Sequence, residues 1–184
     1  MSIYLRELTY EDIKTLNKWR NDKALIDQLG SPFRYINIET DEKWFEQYMN
    51  NRGTQVRCAI IEEKTNEFIG VVYLTDIDTI NRTGFYGILI GEKKHQGKGY
   101  GTLALLKILE HAFYNLNLNK VFGFFLEENV RSINLAQRCG FLEEGTMRQH
   151  VFKNGEYKNI VIMGILKEEF VHLYKKLKAE SKIR

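Results

Sequence analysis

The sequence predicts a mixed α/β domain in which a sheet is covered by helices on both faces. Segments toward both ends repeat their hydrophobic residues at helical spacing, while the middle of the chain switches to short runs rich in Val, Ile, Phe and Tyr. Asn154-Gly155 between two apolar stretches adds a strong short-range hairpin signal. With 184 residues, 43% hydrophobic content and no internal repeat or low-complexity linker, residues 1–184 are expected to form one domain, with a C-terminal helix and basic tail from about residue 167.

In chain order, a strand at 3–8 precedes a helix over 10–20, with Thr9 as N-cap and Asp12 three residues on, close to a capping box. GSPFRY, with the only proline, interrupts the pattern, and a second helix fits 41–49, where Trp44, Phe45 and Tyr48 share a face. QVRCAIIEE, EFIGVVYLTD and TGFYGILIG read as a three-stranded meander joined by turn-like KTN and DTINR. A helix from about 99 to 116, a strand at 121–126, a helix at 130–138, a hairpin around Lys153-Asn154-Gly155-Glu156 and a helix from Lys167 complete the order.

Composition excludes several classes. No run of about eighteen uncharged apolar residues occurs and the first residues lack a cleavage-like region, so a cytoplasmic protein without a membrane partner is expected. Cys58 and Cys139 lie far apart with no histidine at zinc-like spacing, which predicts buried thiols and neither a disulfide framework nor a metal site. The formal charge is +3, but residues 174–184 hold five Lys/Arg and one Glu, so the body is not basic and no nucleic-acid partner is expected. The tail reads as a solvated end, or as an arm for nucleic acid or ribosome.

Gly97, Gly99 and Gly101 lie between a strand and a helix, where unsatisfied N–H groups gather at the positive end of the helix and glycine lets backbone approach an anion. A P-loop fails, because Lys98 is followed by Gly99 and Glu92 stands five before Gly97. A dinucleotide fingerprint fails too, because the spacing is Gly-x-Gly-x-Gly, in mid-chain after antiparallel-looking strands.

What remains, Gln96-Gly97-Lys98-Gly99-Tyr100-Gly101, matches Gln/Arg-x-x-Gly-x-Gly/Ala, and here the sequence resembles the GNAT superfamily of acyl-CoA-dependent N-acetyltransferases. Downstream, Asn129, the Cys139-Gly140-Phe141 turn and NGEY are similar to the family's second motif and final hairpin, so the resemblance runs from residue 3 to about 166. It implies a GNAT-like, mostly antiparallel twisted sheet of about six or seven strands. It also implies acetyl-CoA as cosubstrate. The backbone of Gln96, Gly97, Lys98, Gly99, Tyr100, Gly101 and Thr102 would hold the CoA pyrophosphate, and Ile88, Leu89 and Ile90 would bond the pantetheine like an added strand. Asn129, Ser132 and Asn134 would line the other wall. Taken singly, Tyr100 and Thr102 also read as packing and capping residues, and the glycines as a corner before a packed helix.

Acetyl transfer needs a neutral amine, a donor for the oxyanion and a proton for the departing thiolate. Similar enzymes often place a glutamate on the strand before the loop, where this chain has Phe85, and a tyrosine before the Gly-Phe turn, where it has Ala136. A subset similar to the ribosomal-protein N-terminal acetyltransferases uses a serine as acid, which falls on Ser132; as a plain residue, Ser132 reads equally as a helix-start serine. His150 is the candidate base, set against an ordinary strand histidine. Without a strong base, low-pKa acceptors are favoured: an amine of pKa about 10.4 is neutral in roughly one molecule in 2,500 at pH 7, and one of about 7.8 in roughly one in seven.

The acceptor side carries conflicting resemblances. LNKWRND and DEKWFEQYM look like enzymes that acetylate nucleotide-linked amino sugars, while FYNLNLNKV and FKNGEYKN look like spermidine acetyltransferases. Glu39, Asp41, Glu42 and Glu46 read as an acidic mouth for a cationic amine or as a solvated helix face, and Trp44 and Phe45 as sugar-stacking or core residues. The expected function is acetyl transfer from acetyl-CoA to a primary amine of a small molecule, such as an amino sugar or polyamine, by direct attack in a ternary complex. N-terminal acetylation of a ribosomal protein and a non-catalytic CoA-binding sensor or interaction domain are the alternatives, and a homodimer is admitted.

Overall fold

β1 (Ile3–Glu7) leads through a 3₁₀ turn at Tyr10–Asp12 into α1 (Ile13–Arg20), followed by α2 (Lys23–Ile26), a loop, and α3 (Ile38–Asn50). The meander is β2 (Val56–Glu62), β3 (Glu67–Asp78) and β4 (Thr83–Ile90). After it come α4 (Tyr100–Glu110), ending in a π turn at His111–Asn115, then β5 (Lys120–Leu126) and α5 (Val130–Arg138). The hairpin of β6 (Leu142–Lys153) and β7 (Glu156–Leu166) precedes α6 (Lys167–Ala179). This computed structural model describes residues 2–180, so the last four residues of the basic tail lie outside the described residues.

The seven strands form one sheet in the order β1-β2-β3-β4-β5-β7-β6, antiparallel throughout except for β4 beside β5. The expected mixed sheet with helices on both faces is present. α1 and α3 cover one face, with Leu16, Trp19, Phe45 and Tyr48 packed over Ala59, Ile61 and Val71. α4 and α6 cover the other, with Leu105, Ile108, Phe113 and Phe170 over Ile60, Val72 and Leu74. Val71 and Val72 enter different cores because successive side chains of a strand face opposite ways.

Local chemistry sets most boundaries. The Thr9 N–H donates to Asp12 Oδ2 at 2.8 Å, so the capping box forms, although the chain enters the helix through a 3₁₀ turn. The second expected helix begins earlier, because Asn37 caps it by accepting from the Thr40 N–H at 3.1 Å. α2, unforeseen, is one turn closed by Asp22, too short to show a period. Asn154 and Gly155 both have positive φ, at 53° and 86°, as a tight hairpin turn of the primed type requires.

The feature that positions the site is a split in the sheet. β4 and β5 pair in parallel only where Thr83, Gly84 and Phe85 meet Lys120, Val121 and Phe122. Beyond that, β4 continues against β3 to Ile90 and β5 against β7 to Leu126, so the two strands part. The Gly91 N–H bonds to the Ile69 carbonyl on β3. Strand alternation therefore turns the main-chain groups of Ile88 and Ile90 away from β3 and into the gap. No described helix is long and apolar enough to cross a membrane.

Candidate active site

The glycine loop joins the open end of β4 to α4, and each glycine answers a different demand. Gly97 and Gly99 adopt left-handed φ of 75° and 87°, and Gly99 is the N-cap of α4. At Gly101 a Cβ would stand 2.7 Å from Leu135 Cδ1, so this glycine lets α4 approach α5. The first main-chain bond of α4 runs from the Leu103 N–H to the Gly99 carbonyl, leaving the N–H groups of Tyr100, Gly101 and Thr102 without helical acceptors. These donors, at the positive end of the helix, face a cavity of about 150 Å³. Arg131 and Arg138, two turns apart on α5, complete its rim and were not singled out from sequence; their seven-residue spacing was the available signal.

Gln96 stitches the loop in place. Its Nε2 donates to the Ile90 carbonyl at 2.9 Å, and its Oε1 accepts from Arg131 Nη1 at 3.3 Å. Of the expected edge residues, Ile88 keeps its gap-facing main-chain groups open, the Ile90 carbonyl is engaged by Gln96, and Leu89 directs its main chain toward β3. All three line the small cavity, together with Gln96, Gly97, Gly99, Tyr100, Gly101 and Thr102. Lys98 is exposed and lines neither this cavity nor the larger one beside it.

A second cavity, of about 580 Å³, opens where β4 and β5 diverge. Ile88, Leu89, Asn129, Ser132, Gln28 and Leu29 line both cavities, so the two meet at the start of α5. Asn129 Oδ1 caps α5 by accepting from the Ser132 N–H at 3.1 Å, and its Nδ2 donates to the Gln28 carbonyl at 2.6 Å. Its polar groups are thus committed to the protein. The Ser132 hydroxyl has no protein partner among the described residues and stands at the junction. Asn134 falls on the exposed side of α5 and lines neither cavity.

His150 lines the larger cavity from β6, just after Gln149 at φ 51°, where the register of the β6–β7 ladder shifts and re-aims the strand. Phe85 also lines it, its ring packed edge-on against Phe122 and Phe124 at centroid distances of 5.7 and 5.3 Å. Ala136 is fully buried in the core. The glutamate and tyrosine positions are therefore an aromatic wall and a packing site. Burial pushes the Cys58 thiol up to about 11 and the Cys139 thiol up to about 12, so neither is a thiolate near neutrality. Among the described residues no group of three or more His, Cys, Asp or Glu is placed to hold a metal ion.

The acidic mouth does not form over this cavity. Asp41 is fully buried, accepting from Asn17 Nδ2 at 2.7 Å and paired with Arg20, and Glu39, Glu42 and Glu46 are absent from the cavity lining. Phe45 is core, whereas Trp44 lines the cavity.

Comparison with known proteins agrees with this arrangement. Residues 2–142 match the family model described as an acetyltransferase (GNAT) domain. The chain is 27% identical to the spermidine N(1)-acetyltransferase of Vibrio cholerae, over 91% of this chain and 95% of that protein. It is 32% identical to the putative ribosomal N-acetyltransferase YdaF of Bacillus subtilis, over 90% and 86%. The crystal structure of the Vibrio cholerae spermidine N-acetyltransferase in complex with CoA and spermine superposes with a TM-score of 0.86 at 25% identity, over 92% of this chain and 98% of that one.

Proposed function

Because the chain belongs to the GNAT acetyltransferases and moves acetyl from acetyl-CoA to an amine, we propose that transfer takes place where its two cavities meet, by direct attack of a small-molecule primary amine within one ternary complex. The observation that carries this reading is the set of residues shared by both cavities, among them Ser132, whose hydroxyl has no partner among the described residues. The donor pyrophosphate lies on the N–H groups at the start of α4, and the pantetheine runs along the β4 edge at Ile88. His150 takes the amine proton, the gap-facing N–H of Ile88 stabilises the oxyanion, and Ser132 protonates the departing CoA thiolate. Protonated cysteines leave the thioester to be attacked by the amine itself. The reading treats residues 1–184 as one N-acetyltransferase domain in the cytoplasm, with a homodimer as the assembly to test by light scattering.

A free-CoA release assay on amino sugars, polyamines and peptide N-termini tests the acceptor, with Ser132→Ala as the mechanistic variant. The expected result is turnover of a small amine, a kcat lowered about 100-fold or more in the variant, and an acetyl-CoA KM that stays the same. An unchanged kcat removes Ser132 as the acid. The identity with YdaF supports a second reading, N-terminal acetylation of a ribosomal protein. That reading prevails if a peptide N-terminus outpaces every small amine.

A further inference from the structure

We propose that Arg57 binds an anionic group of the acceptor, so that the substrate is a primary amine also carrying a phosphate or carboxylate, and not a polyamine. The inference rests on the reading that the larger cavity receives the acceptor.

The guanidinium of Arg57, on β2, is held among three aromatic rings, 5.0 Å from the centroid of Trp44, 5.1 Å from that of Tyr73 and 5.9 Å from that of Tyr48. Its Nε donates to Gln55 Oε1 at 2.8 Å, which fixes the plane and leaves the terminal nitrogens for a ligand. Among the described residues no carboxylate lies within ion-pair distance of it. Burial pulls its pKa below the ordinary arginine value, yet arginine stays charged near neutrality. Asp76 attracts it only from beyond ion-pair distance, so among the described residues this half-buried cation has no direct carboxylate partner, a place that an incoming anion would fill.

The rest of the lining adds no net negative charge to offset Arg57. Arg20 also lies against Trp44, 5.9 Å from its centroid, but is already neutralised by buried Asp41. Arg34 is exposed and has no ion-pair partner among the described residues, and Asp76, itself exposed, is the only carboxylate among the described lining residues. A polyamine would bring further ammonium groups into a space with two guanidiniums that have no direct ion-pair partner among the described residues and one solvated carboxylate. An anionic amine would find a planar two-pronged donor flanked by rings that also suit a sugar or a base.

The test uses matched acceptors, glucosamine 6-phosphate against glucosamine and β-alanine against its amide, with spermidine as the cationic comparison. The anionic member of at least one pair should exceed both its neutral partner and spermidine in kcat/KM, and which pair responds separates phosphate from carboxylate. Arg57→Gln should raise the KM for that acceptor roughly 10- to 100-fold, with Arg57→Lys partly restoring it and the acetyl-CoA KM unchanged. In parallel, UDP and succinate are titrated calorimetrically into wild type at saturating CoA, which keeps them off the glycine loop. Binding of either that Arg57→Gln weakens supports the proposal even if no amine tested is turned over, a failure that would fall on the transfer reading alone. The proposal is overturned if spermidine is the best acceptor, if neither anion binds wild type, or if a folded Arg57→Gln binds and turns over like wild type.

Discussion

Gly99 holds a φ of 87° at the head of α4, a conformation that costs a residue with a side chain about 1–3 kcal/mol. Because the same turn aims the Tyr100, Gly101 and Thr102 N–H groups at the cavity proposed for the donor, the strain would be relieved by moving those groups off the ligand. Gly99→Val should raise the acetyl-CoA KM about tenfold or more while the amine KM changes little. Steady-state kinetics checks this, and an unchanged acetyl-CoA KM would remove the loop from the donor site. At the same scale, Phe85 and Ala136 explain why the proposed mechanism turns to Ser132 and His150: one side chain packs edge-on against Phe122 and Phe124 and the other is sealed in the core. These departures were legible from sequence because the flanking motifs fix their positions. Arg57 was not, because Trp44 and Tyr73, which make it a site, come from α3 and β3, and no local spacing links them.

Helix starts tie the elements to the site, and they were legible where cap and period coincide, as in α5, but not for α3, which starts at Ile38, ahead of its expected start, nor for α2, too short to show a period. α5 has the expected bounds, and its cap Asn129 reaches across to Gln28, so the same residue ends the gap and anchors the loop after α2. That loop is held from the far side by buried Lys153, whose Nζ donates to the carbonyls of Ile26, Leu29 and Ser31 at 2.7–2.9 Å, a long-range clamp that periodicity could not reveal. At the start of the first helix, Asp12 accepts from both terminal nitrogens of Arg6, at 2.6 and 2.8 Å, and from the Thr9 N–H. Burial pushes the Asp12 carboxyl up, but the Arg6 and Thr9 bonds outweigh it and leave its pKa below the ordinary 3.8. A carboxylate depressed in the folded state adds stability that is complete above its unfolded pKa and fades as pH falls through the folded one. Asp12→Asn should therefore cost about 1–3 kcal/mol at pH 7. The loss in Tm should shrink below pH 4, and a deficit independent of pH in thermal melts would contradict this origin.

Across the whole molecule, the split between β4 and β5 converts a continuous sheet into a site. A sheet covered by helices on both faces could be read from the sequence, and about six or seven strands from its family resemblance, but the divergence could not, because it depends on how few residues of two distant strands pair. The split leaves a main-chain edge facing α5 and joins the smaller cavity, rimmed by the glycine loop and α5 and proposed for the donor, to the larger one, lined from both ends of the chain and proposed for the acceptor. Family membership supports acetyl-CoA as the donor, whereas the proposed choice of acceptor rests on the charge lining the larger cavity. If amine and acetyl-CoA occupy these spaces together, neither product can leave before both substrates have bound. A matrix of initial rates, varying acetyl-CoA against the preferred amine, tests this most directly. The account predicts double-reciprocal lines that intersect. Parallel lines, with acetyl transferred to the protein in the absence of amine, would contradict it.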